Sequence, residues 1–98
     1  MTLSPVVAAE VRDRFRGPDV EVVLAALDAA VLPLGSRAAP SERPRIQLAI
    51  LKLAEGDLAE FREALRIAEI DWRDTLVASG FGNADWREAI ARAGMRVP

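Results

Sequence analysis

Apolar residues recur at helical spacing along nearly the whole chain, and no run of strict alternation competes with them. Ser4 followed by Pro5 marks the first start, a hydroxyl N-cap and then a proline whose missing N–H costs nothing there. Val7, Ala8, Val11 and Phe15 line one side of that helix, Glu10 and Arg14 are spaced to pair on it, and Gly17-Pro18 ends it. The stretch Asp19 to Leu32 sets Val20, Val23, Leu24, Leu27 and Val31 at helical spacing, with Glu21 and Asp28 opposite, and Pro33 and Gly35 stop it. A third helix is predicted from a Ser41 cap, with Pro44 inside its first turn. It carries Ile46, Ala49, Ile50 and Leu53 in one stripe, and Leu48 and Leu51 widen the apolar surface, so it is expected to be central.

The remainder is organised by a repeat. Asp57-Leu-Ala-Glu60, Asp71-Trp-Arg-Asp74 and Asp85-Trp-Arg-Glu88 begin at intervals of fourteen residues, each with an acid followed three positions later by another. This is the capping-box pattern, in which the first side chain accepts from orphan N–H groups and the second reaches back, both in the favourable field of the helix dipole. Gly80 and Gly94 fall where a left-handed residue ends a helix, and Phe81 and Met95 follow as the hydrophobic residues of a Schellman motif. The repeat therefore reads as helix punctuation. Leu58, Phe61, Leu65, Ala68, Trp72 and Leu76 also fit one uninterrupted helix; the cap signal favours a break at Asp71.

Together these elements predict an all-α chain, a compact orthogonal bundle of five or six short helices in a single domain spanning 1–98. The Pro-, Gly- and Ser-rich stretch 33–44 is expected to be a loop between two helical halves. A chain of 98 residues suffices for one core.

Composition then narrows the chemistry. Cysteine, histidine and tyrosine are absent, so thiolate and imidazole chemistry and zinc–thiolate sites are excluded. Neither catalytic residues nor a cofactor or metal site is assigned, and the chain is read as a non-enzyme. The net charge of −2 lacks the basic excess of a duplex-binding surface, and no apolar run is long enough to span a bilayer. The amino-terminal stretch has no basic n-region and meets an acid at Glu10, so a cytoplasmic protein is expected.

Four features compete as sites. The carboxylate pairs Asp71/Asp74 and Asp85/Glu88 could approach a divalent cation, but nothing nearby completes six oxygens, and capping is the simpler role. Arg37, Arg43 and Arg45 cluster near a helix start and are the candidate anion contacts, without a glycine-rich phosphate loop to support them. Segment 72–93 has the outline of a helix-turn-helix, yet its second helix holds two acids beside two arginines. Trp72 and Trp86 are either core wedges or, with Arg73 and Arg87, interface anchors. Trp72 continues the Leu58–Phe61–Leu65 stripe and is expected inside. Trp86 has only Ile90 and alanines for company and is expected to be partly exposed, so Trp86, Arg87 and Arg73 are the candidate protein interface.

"ERPRIQLAILKLAEGDL" followed by "DWRDTLVASGF", roughly residues 42–82, resembles a group of small uncharacterised bacterial helical proteins. The resemblance implies a shared fold and carries no activity or functional residue with it. The expected function is a protein-interaction, adaptor or structural domain whose partner is a protein or a second copy of itself. The alternative is a nucleic-acid-associated regulator using 72–93. No membrane partner is expected.

Overall fold

A computed structural model describes residues 3–35 and 38–98, with six helices: α1 (Pro5–Arg14), α2 (Pro18–Ala29), α3 (Glu42–Ala54), α4 (Leu58–Ile70), α5 (Trp72–Ser79) and α6 (Trp86–Arg92). There is no strand among the described residues. The radius of gyration, 12.1 Å, is that of a compact bundle.

The central position of α3 is as the sequence predicts. It packs against α1, α4 and α5, and the run Ile46 to Leu51 is buried on every side, Gln47 included. That burial is tolerable because the Gln47 Nε2 donates to the Leu27 carbonyl at 3.4 Å, leaving its amide partnered. Leu53, assigned to the buried stripe, is only half-buried. Phe15 at the end of α1 meets Phe61 of α4 edge to face, with centroids 6.0 Å apart.

Local punctuation follows the predicted chemistry at most boundaries. Ser4 Oγ accepts from the Val7 N–H at 3.2 Å. Asp57 accepts from the Glu60 N–H at 2.9 Å and Asp71 from the Arg73 N–H at 3.1 Å. The chain does break at Asp71, whose extended backbone (φ −150°, ψ 97°) closes α4 and opens α5 in a single residue. Both glycine stops are Schellman motifs. Phe81 N–H reaches the Leu76 carbonyl at 3.0 Å and Met95 N–H the Ile90 carbonyl at 3.2 Å, while Gly80 and Gly94 take positive φ. Phe81 and Met95 are buried as a result.

Three expectations need correction. Asp85 does not cap α6: its backbone (φ −88°, ψ 24°) is already turning, so its carboxylate misses the helix N–H groups and takes Arg92 at 3.2 Å instead. Ser41 makes no side-chain cap for the same reason, its backbone being α-helical. The boxes also stay open on their second side. Asp57 and Asp71 N–H groups are already bonded to the Ala54 and Ile67 carbonyls, at 2.9 and 2.8 Å, so Glu60 and Asp74 have no free donor to return to.

Helix α2 stops three residues short of the predicted Leu32. Ala30 turns extended, and the Arg43 guanidinium of α3 covers the exposed helix end, donating to the Ala30 carbonyl at 2.8 Å and the Leu27 carbonyl at 3.4 Å. Leu32 then swings into the core, and Val31, expected inside, is left 75% exposed.

Candidate interaction surface

The candidate anion contacts do not form a free cradle. Arg37 lies outside the described residues. Arg43 is committed to the end of α2, where it supplies the cation that the last turn of that helix lacks. Arg45 donates through Nε to the Phe81 carbonyl at 2.8 Å and pairs with Glu42 at 3.3 Å. Lys52 does similar work two turns further along α3, donating to the Ser79 carbonyl and lying 5.0 Å from the Phe81 ring centre. Two cations of α3 thus donate to the carbonyls around the end of α5. The sequence hides this role, because donor and acceptor are 27 and 36 residues apart.

The two tryptophans are reversed from expectation. Trp86 is 8% exposed, its ring 5.0 Å from the Arg45 guanidinium and 4.1 Å from that of Arg87. The ring belongs to the core cluster, and the two arginines lie over it. Trp72 is only half-buried. Its indole N–H donates to the Pro33 carbonyl at 3.2 Å, and Arg73 stacks over its ring at 5.9 Å while pairing with Asp71 at 3.3 Å. Arg73 and Arg87 are exposed, but the anchor beside Arg87 is buried. Of the candidate interface, only the Arg73 end keeps an accessible tryptophan.

That end is part of a surface the sequence did not reveal. The Val31 N–H donates to the Glu69 carboxylate at 3.1 Å, and this bond with that of Trp72 ties 31–33 along the junction of α4 and α5. The junction displays Val31 (75% exposed), Ile70 (69% exposed), Pro33 and the open edge of Trp72. Ile67, one turn before Ile70, is partly exposed as well. Charges of both signs surround it: Arg66 paired with Glu63 at 2.6 Å, Glu69, Asp71 and Arg73. The one available signal was that Ile67 and Ile70 fall off the Phe61–Ala64–Ala68 face of α4.

A second cluster joins the two ends of the described chain. Glu10, 3% exposed, accepts from Arg14 Nε at 3.0 Å, from Arg96 Nη1 at 3.0 Å and from the Arg96 backbone N–H at 2.8 Å. Arg96 also reaches Asp13 at 2.6 Å. Burial alone would push the Glu10 carboxyl up, but the hydrogen bonds from Arg96 and Arg14 outweigh it and hold the carboxyl below its usual value near 4.5. The Arg96 guanidinium is raised in turn, chiefly by its hydrogen bonds to Asp13 and Glu10.

On the outward side of α6, Arg92 is engaged by Asp85 and Glu88, at 3.2 and 3.8 Å, so the outer face of the helix-turn-helix outline is charge-balanced rather than basic. Among the described residues no group of three or more acids, histidines or cysteines is placed to hold a metal ion, and no helix is long and apolar enough to cross a membrane. No protein family, curated protein or solved structure with which the chain was compared matches it.

Proposed function

We propose that the protein is a non-enzymatic interaction or adaptor domain that engages another protein surface through the junction of 31–33 with 69–72. The observation that carries this reading is the exposure of Val31 and Ile70, with a half-open tryptophan, on two segments that the Val31–Glu69 and Trp72–Pro33 hydrogen bonds tie together. A single exposed aliphatic residue is ordinary, whereas a cluster with an aromatic centre and a charged rim has the make-up of an interface. Trp72 and Arg73 supply the residue types that dominate binding energy at such places. Glu10 and Glu63 are held below the usual carboxylate range while engaged in ion pairs with Arg96 and Arg14, and with Arg66, respectively, which fits a structural use of these carboxylates.

The test is affinity capture and sedimentation velocity with three baits: the unaltered chain, Ile70→Asp, and Val77→Asp as a control, since Val77 is 78% exposed but lies outside the junction. Ile70→Asp should lower retention of a partner, or self-association, by about tenfold or more, and Val77→Asp should leave it unchanged. Equal behaviour of all three baits would refute the assignment of this surface.

A further inference from the structure

Helix α6 is attached differently from the other five. Helix α3 runs close against α1, α4 and α5, and α2 against α1 and α4; α6 belongs to none of these close backbone pairs. It is held by Ile90, buried at mid-helix, and by side chains at its two ends. At the start, Trp86 lies under Arg45 of α3. At the finish, Met95 is buried, and Arg96 makes its three bonds to Glu10 and Asp13 of α1. The connection before it, Gly82 to Asp85, is exposed throughout. Phe81 stays with the main body, fixed by Lys52 and Arg45.

We infer that residues 82–98 form an arm that undocks from α1–α5 as one unit before the rest unfolds, with the Glu10 carboxylate as its catch. The arm must open as a unit because a helix of seven residues has too few internal bonds to persist once its apolar face leaves the core. Opening uncovers Trp86, Ile90 and Met95 together with the core surface they cover. The catch is charge-dependent. Glu10 faces Asp13 and Arg14 on its own helix and Arg96 on the arm; the α3–α4 turn comes against the Arg14 carbonyl through Gly56, and the acids beside it, Glu55 and Asp57, are exposed. Because the folded carboxyl titrates below its usual value, the catch is fully engaged above pH 4.5 and lost as pH falls through the lowered value.

Native-state hydrogen exchange on the full chain, read by NMR, tests this. The amides of Ala89, Ala93, Met95 and Arg96 should exchange through a common opening at least about tenfold more frequent than that of Ile46 to Leu51 in α3. At neutral pH, Glu10→Gln should raise exchange of the arm amides by about tenfold or more, the effect of weakening hydrogen bonds to a charged group, and leave α3 within about twofold. If Glu10→Gln does not fold, Arg96→Gln removes the same ion pair from the exposed side and is read in the same way. Arm amides that exchange only at the α3 rate, or a variant that accelerates α3 and α6 alike, would overturn the inference.

Discussion

The three repeated aspartates should respond differently to the same substitution, although the sequence presents them as equivalents. Asp57→Ala removes an acceptor lying 2.9 Å from the Glu60 N–H, on a helix of thirteen residues that forms part of the core. Loss of such a cap costs about 0.5–2 kcal/mol, with a value near 1 typical. Asp71→Ala should cost at least as much within that range, since its carboxylate takes both the Arg73 N–H at 3.1 Å and the Arg73 Nε at 3.3 Å. Asp85→Ala loses only exposed ion pairing with Arg92 and should fall within about 0.5 kcal/mol of zero. Asp→Asn at 57 and 71 keeps an acceptor and should recover most of the loss, which separates hydrogen bonding from the dipole term. Equilibrium denaturation followed by far-UV circular dichroism measures all five variants, with an unchanged m-value required for comparison. An Asp85→Ala cost equal to that of Asp57→Ala would show that the carboxylates act by charge alone and that cap geometry is irrelevant.

Two other outcomes follow from buried groups. Thr75 Oγ1 is enclosed without a hydrogen-bond partner among the described residues, so Thr75→Val should stabilise the fold by about 1 kcal/mol, seen as a raised denaturation midpoint; a loss of that size would mean the hydroxyl is bonded in solution. In the single-tryptophan variants, iodide should quench the Trp72 fluorescence of Trp86→Phe more strongly than the Trp86 fluorescence of Trp72→Phe, and the opposite order would contradict the burial of Trp86.

Much of the molecule was settled within short reach of each residue. A Ser-Pro start, an Asp cap and a Gly-hydrophobe stop each act through bonds spanning a handful of positions, so the break at Asp71 and both Schellman ends were readable from the letters. The continuous greasiness of α3 likewise announced its central place, because only a helix surrounded by others can bury such a surface. Asp85 failed as a cap because capping depends on the backbone angle of one residue, and at Asp85 that angle is not the extended one that Asp57 and Asp71 adopt.

What the tertiary structure alone decided involves partners distant in sequence. The arginines of 43 and 45 became helix-end donors because folding brought the carbonyls of α2 and of Phe81 to them. Periodicity ranked the tryptophans by the stripe each continues, yet exposure depends on what stands opposite. Arg45 covers Trp86, while Trp72 packs against the core on one side only and gives its indole N–H to the Pro33 carbonyl, which leaves it half-buried. Val31 passed from expected core to open surface because α2 ends at Ala29, where Arg43 takes the free carbonyls. Glu10, which the sequence paired with Arg14 alone, is buried because a backbone N–H and a guanidinium 86 residues away also arrive to offset the cost of enclosing its charge.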